Sequence, residues 1–355
     1  MSEAAEVYTT PKRVCYTPFM KLAMKITPQR STQYANMAEV LAAPELLASP
    51  VGPAIQEIAP VTLAGQSYLL VTLDDLFSSS TVMPILSRLG ATSEVYQYFE
   101  KLGEVEGPLL RPIEPQFTPF VPLEMAEVRR YKGKTNEVFT QVLLNMALFA
   151  GAYAGQFSER LRILDPLAGG GTTLFLALAA GYDAFGIELE RQDVETTAVF
   201  TRRYLQNEHI PYKELDERGR RAGRRYQFEI GQKGATRLLA LAHGDACQAD
   251  LHMREVPGGP RMHAVVGDLP YGIQHFGEIA GILQKALPIW ESMILPGGTL
   301  ALAWNATRIE RANMVELVEQ HTHLKVRNDP PYTQLVHTVD RVIKRRDILV
   351  AEKEM

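Results

Sequence analysis

The chain has 355 residues, 46% of them hydrophobic, enough to bury a substantial core in one large or two modest domains. Its net charge of −4 excludes the global basic footprint of a protein that coats nucleic acid and leaves only a local basic surface open. Cys15 and Cys247, the only cysteines, fit neither a metal-ligand spacing nor a disulfide framework, and no apolar run reaches membrane-spanning length, so a cytoplasmic protein with no bound metal and no membrane partner is expected.

Residues 1–20 are polar and mixed and read as an extended arm. From 21 to 130, prolines at 44, 50, 53 and 60 and again at 108, 112, 115, 119 and 122 interrupt the pattern. Between them Ser67–Leu73 reads as a strand and Thr92–Leu102, with aromatics at Tyr96 and Phe99, as a helix. This describes a small α+β region that either recognises a substrate or covers one face of a larger domain. Leu109–Pro122 reads as a surface strap, because repeated proline removes donors and resists helix and central strand alike. The basic turn Arg129–Lys134 either meets phosphate and base or leads, with Thr135 or Asn136 as cap, into a helix from about Glu137 to Ala154.

Residues 161–188 organise the chain. Leu161–Leu164 is a short apolar strand that runs into Asp165-Pro166-Leu167-Ala168-Gly169-Gly170-Gly171-Thr172-Thr173; a helix follows, and a second strand ends in Glu188. In a parallel α/β sheet, ligands sit beyond the carboxyl ends of the strands, where Asp165, the glycines and Glu188 converge. The turn lacks the Gly-Lys-Ser/Thr of a phosphate loop and the Gly-x-Gly-x-x-Gly of dinucleotide binding.

This stretch resembles the cofactor loop of class I S-adenosylmethionine-dependent methyltransferases, in the form found in nucleic-acid amino-methyltransferases. The resemblance implies an α/β fold, a Rossmann-like seven-stranded sheet with helices on both faces, over residues 131–355, beside the smaller amino-terminal region. It implies S-adenosylmethionine as cofactor, with Asp165, Ala168, Gly169 and Gly171 at the methionine part and Glu188 on the ribose hydroxyls. Asn136 and Phe139, ahead of the first strand, become further candidates for cofactor contact. A carboxylate accepts two hydrogen bonds from a ribose diol, and a sulfonium favours acidic surroundings, so elementary chemistry agrees.

Arg191–Leu205 fits a crossover helix. Lys213–Arg225 places Arg218, Arg220, Arg221, Arg224 and Arg225 around two glycines, an exposed loop that either supplies phosphate ligands or is inert. Tyr226–Ile230 and Thr236–Ala242 read as strands, the second leading to His243-Gly244-Asp245-Ala246. This ending resembles the third cofactor motif of the family, which gives Asp245 and Ala246 contacts to adenine.

The strand His263–Gly267 runs into Asp268-Leu269-Pro270-Tyr271-Gly272. The sequence resembles the Asp/Asn-Pro-Pro-Tyr/Phe motif of enzymes that methylate exocyclic amino groups, with Leu269 in place of the first proline, a variant closest to tRNA guanine-N2 methyltransferases. On that resemblance the Asp268 carboxylate and the Leu269 carbonyl accept the amino hydrogens of the base, Pro270 restricts the loop, and Tyr271 stacks on the base. His275 follows as a candidate substrate contact. Beyond it, Glu278–Glu291 suits a helix, Gly298–Trp304 a strand and Arg308–His321 an amphipathic helix. Leu324–Val326 and Asp347–Ala351 suit a final antiparallel pair, and Arg341, Lys344, Arg345 and Arg346 either face the substrate or defend an edge strand.

The expected activity is methyl transfer to a nucleobase amino group, with guanine N2 in tRNA or another RNA as the leading acceptor. DNA adenine-N6 or cytosine-N4 methylation, a small-amine acceptor, and a silent nucleic-acid-binding protein remain alternatives. The oligomeric state is not legible.

Overall fold

A computed structural model describes residues 19–29, 36–74, 79–215, 224–270, 276–339 and 344–355. The first region comprises β1 (Phe19–Ile26), α1 (Met37–Ala48), β2 (Ile55–Leu63), β3 (Gln66–Asp74), α2 (Ser79–Leu86), β4 (Thr92–Leu102) and β5 (Val105–Pro112). Its antiparallel sheet has the order β2-β3-β1-β4-β5. Leu22, Met24 and Ile26 of β1 join Leu41 and Leu46 of α1 in an apolar cluster, while Lys21 and Lys25 pair with Glu100 and Glu94 of β4. Thr92–Leu102 is therefore a strand and not the expected helix. Its i, i+3 aromatics resemble a helical face, but β-branched and aromatic residues also suit a strand, and pairing with both β1 and β5 decides the matter. The start of the expected surface strap is likewise β5, in which Leu109, Leu110 and Pro112 pair with β4.

The second region follows with α3 (Glu124–Val128), α4 (Glu137–Ala150), β6 (Arg162–Asp165), α5 (Thr172–Ala179), β7 (Asp183–Glu188) and α6 (Arg191–Asn207). Then come β8 (Tyr212–Glu214), β9 (Arg225–Ile230), β10 (Arg237–His243), α7 (Ala249–Met253), β11 (Met262–Asp268) and α8 (Phe276–Met293). The region ends with β12 (Ile294–Asn305), α9 (Arg311–His321), β13 (Lys325–Val326) and β14 (Arg346–Glu352). The nine strands run β13-β14-β12-β11-β6-β7-β10-β9-β8. β12, β11, β6, β7 and β10 are mutually parallel, and β14 is antiparallel to β12. This is the sheet of the class I methyltransferase architecture, extended past β10 by the antiparallel strands β9 and β8.

The central strands read as apolar runs because helices cover both faces: Leu300, Ala301, Leu302, Ala303 and Trp304 are all fully buried. α4, α5 and α6 share one apolar cluster with the amino-terminal sheet, and α7, α8 and α9 form a second on the opposite face. α4 is buried nearly all round because α1 lies against it as well as the large sheet. From β6 the chain crosses to β7 on one side and later returns through β11 on the other. The order of the strands thus reverses between β6 and β11, and the crevice beyond their carboxyl ends is the place for a ligand. No helix among the described residues is long and apolar enough to cross a membrane.

Candidate active site

A cavity of about 950 Å³ opens at that reversal. The carboxyl end of β6 supplies Asp165, that of β7 Glu188, the turn after β10 Asp245, and the end of β11 Asp268. With Glu190 these make five carboxylates on the wall, against Lys285 as the lining cation among the described residues.

The glycine turn is held by the acids themselves. Glu188 accepts from the backbone N–H of Gly169 through Oε2 and from that of Glu190 through Oε1, both at 2.8 Å. Asp165, 3% exposed, accepts from the Leu167 N–H at 2.9 Å and from Thr173, and burial pushes its carboxyl up to about 7. Gly171 starts α5 with φ +89, a left-handed conformation suited to glycine. Gly170 has a different reason to be glycine, since a Cβ there would lie 2.3 Å from the Tyr131 ring. Tyr131 thus covers the turn, and its hydroxyl lies 2.8 Å from Thr172 Oγ1.

Asp245 caps a 3-10 turn at Ala246–Gln248 by accepting from the Cys247 N–H at 2.8 Å. The carbonyl of Ala246 is fixed by the Trp290 indole N–H at 3.0 Å, and the Gly244 N–H donates to the Glu188 carbonyl at 3.0 Å, so this motif is clamped to the end of β7. Asp268 Oδ2 accepts from Thr135 Oγ1 at 2.7 Å and from Arg346 Nη2. Leu269 is 3% exposed, with its N–H spent on the Ala303 carbonyl at 2.9 Å, and Leu269 and Pro270 both line the cavity.

Of the expected residues, Asp165, Ala168, Gly169, Glu188, Asp245, Ala246, Asp268, Leu269 and Pro270 meet at this one cavity, with Gly171 just behind the turn. Tyr271, His275, Arg218, Arg220 and Arg221 lie outside the described residues. Asn136 and Phe139 do not line the cavity. Asn136 caps α4, accepting from the Phe139 N–H at 3.1 Å, and Phe139 is fully buried beneath the Arg346 guanidinium. Arg225 is not a loop cation either. It opens β9 buried and donates to the His252 carbonyl at 2.9 Å, because its register opposite Ala242 turns it into the sheet. Arg224 is at the surface, 3.0 Å from Glu195. The basic turn before α4 is partly structural: Arg129 donates to Thr196 and Thr197 on α6 at 2.9 and 3.3 Å.

Thr135, Leu189, Cys247 and Lys285 also line the cavity, and the sequence does not single them out as site residues. Leu189 had a signal in following the acid that ends β7. Lys285 had none, since a lysine on an amphipathic helix reads as solvated. No group of three His, Cys, Asp or Glu among the described residues is placed to hold a metal ion.

No family model and no curated protein matches the chain. Among solved structures, TrmN from Thermus thermophilus matches at 15% identity with a TM-score of 0.38 over 83% of this chain and 59% of its own, so the likeness spans less than two thirds of TrmN. A methyltransferase homolog protein from Pyrococcus horikoshii matches at 10% identity and TM-score 0.38 over 95% of this chain and 87% of its own. An rRNA methylase from Streptococcus thermophilus matches at 14% identity and TM-score 0.32 over 56% of this chain and 92% of its own. The strand order and the placement of acids at the strand ends, not these distant likenesses, carry the assignment of architecture.

Proposed function

We propose that the chain transfers a methyl group from S-adenosylmethionine to an exocyclic amino group of a nucleobase, with guanine N2 in tRNA or another RNA as the leading acceptor. The observation that carries the reading is the acidic cavity at the strand reversal, with Asp268-Leu269-Pro270 on its wall. In this reading residues 131–355 are the methyltransferase domain and residues 21–130 a smaller α+β unit packed on it through α1 and α4.

The residues fit the cofactor. A cavity of about 950 Å³ is at the upper end of the roughly 300–1,000 Å³ typical of small-molecule sites, room for a nucleoside-sized cofactor and a second base. The excess of carboxylates suits a ligand with a positive sulfur, and two backbone amides occupy only part of the accepting capacity of Glu188, leaving lone pairs for a ribose diol. Asp245 and the pinned Ala246 would hold the adenine, and Asp165 with the turn at Ala168 and Gly169 the methionine end. When bound, the cofactor supplies a methyl group activated by the sulfonium.

The chain supplies orientation and charge. Asp268 and the Leu269 carbonyl would accept the two hydrogens of an amino group, turning its lone pair out of the base plane. The carboxylate then lies beside the nitrogen on which positive charge builds. Pro270 keeps both acceptors aimed by restricting the backbone that follows them.

Methyl-labelled cofactor supplied with total RNA, total DNA and a small-metabolite extract, followed by mass spectrometry of the products, tests this. Labelled N2-methylguanosine in RNA is expected. N6-methyladenine in DNA would reassign the polymer, and label confined to a small molecule would reject the nucleic-acid reading. Asp268→Ala is expected to lower transfer by about 1,000-fold while leaving affinity for S-adenosylhomocysteine within about threefold.

A further inference from the structure

Asp268 is the one acid of the cavity wall whose described partners include a buried cation. Arg346, at the start of β14, has a side chain 2% exposed, against 16% for Asp268, so the guanidinium stands behind the carboxylate and the carboxylate faces the cavity. Two structural devices hold that guanidinium. The Phe139 ring lies 3.5 Å from it, centroid to Cζ, and the backbone of Arg346 is fixed by reciprocal bonds with His337 at 2.9 and 3.0 Å. Burial pushes His337 down to about 4, so its ring is neutral near pH 7 and the cation presented to Asp268 is Arg346. Thr135, just before α4, donates to the same Oδ2.

We infer that Arg346 and Thr135 are the positioning residues of Asp268: they fix the plane of its carboxylate, so that it stays aimed at the acceptor. The inference rests on the function proposed above and adds the residues that aim its acceptor. A neutral amino group conjugated to a heterocycle needs two well-placed acceptors, which the clamped carboxylate and the Leu269 carbonyl provide.

The test uses the full chain with Arg346→Gln, Arg346→Lys and Thr135→Val, each checked by thermal unfolding and by affinity for S-adenosylhomocysteine. Arg346→Gln is expected to lower kcat on the RNA acceptor by about 100-fold with little change in KM, as for a reacting group displaced by an ångström. Arg346→Lys should recover at least about tenfold of that loss, and Thr135→Val, which removes one hydroxyl without a charge, should cost roughly tenfold in kcat. Crystal structures of Arg346→Gln and the unaltered chain with S-adenosylhomocysteine should show the Asp268 carboxylate rotated away while Asp165 and Glu188 stay in place. An unmoved Asp268, or kcat within about threefold in Arg346→Gln, overturns the inference, as does a loss that only tracks the unfolded fraction. If the unaltered chain transfers no methyl group to any acceptor, the proposed function falls and the crystallographic comparison alone decides the positioning role.

Discussion

The two sheets of this molecule dispose of their charged groups in opposite ways. On the antiparallel amino-terminal sheet, lysines and glutamates meet across neighbouring strands, as in Lys21 with Glu100, Lys25 with Glu94 and Lys101 with Glu106, and the charges cancel where they stand. On the large sheet the parallel strands all point their carboxyl ends one way. Asp165, Glu188, Asp245 and Asp268 are carried to one rim and are held mostly by backbone amides. A parallel sheet collects acids at the carboxyl ends of its strands, where of these four Asp268 has a buried cation as partner, whereas an antiparallel sheet spreads its polar groups over a face. That difference explains why the cavity lies where it does.

Glu45 offers the largest test. It is fully buried in α1 and accepts from the Gly90 and Ala91 N–H groups, both at 2.9 Å, and from Asn145 Nδ2 of α4 at 2.7 Å, fastening α1 and the turn before β4 to α4. Glu45→Ala strands those donors and is expected to cost about 3 kcal/mol of unfolding free energy in denaturant titrations, with unchanged cofactor affinity of the folded protein. Glu188→Ala should do the reverse. It is expected to weaken S-adenosylhomocysteine binding by about 2 kcal/mol, roughly 30-fold by calorimetry, with less than half of the stability loss of Glu45→Ala. If both variants lose stability and affinity in parallel, the division between a structural and a ligand-binding set of acids is wrong.

Asp165 sharpens the comparison through pH. Burial raises its carboxyl to about 7, so between its ordinary range and that value the native chain keeps a proton that the unfolded chain has released. Its contribution to stability therefore falls as pH rises through this window, and Asp165→Asn should remove that slope. A cationic ligand favours the ionised form, so affinity for S-adenosylmethionine should rise by up to about tenfold between about pH 6 and pH 8. Calorimetry in buffers of differing ionisation enthalpy reads the proton released. The smallest effect is expected at Arg224, whose pairing with Glu195 is largely exposed. Arg224→Gln should change stability by less than about 0.5 kcal/mol, yet reduce the log–log salt slope of RNA binding by about 1 if the side chain meets a phosphate.

The proposed cofactor side of the site was legible because it is local. Asp165 through Thr173 and then Glu188 form one continuous β-loop-α-β unit, so spacing alone brings them together. The residues of Thr92–Leu102 suit two periods, and partners far along the chain choose between them. For Arg225, one residue of register decides whether the side chain faces solvent or sheet, and its neighbours in the chain do not set that register.

The sequence by itself determined the alternation of strands and helices, the acids at the strand ends and the Asp268-Leu269-Pro270 turn, since each is written in neighbouring residues. Only the tertiary structure decided what stands behind Asp268. Arg346 is 78 residues away and reads as one more basic residue in a charged run. It becomes the partner of the carboxylate because β14 inserts antiparallel beside β12, whose other neighbour is β11, so the start of β14 falls at the level where β11 ends. Sheet insertion is a non-local event driven by the burial of whole strands, and no spacing along the chain encodes which side chains it sets against each other.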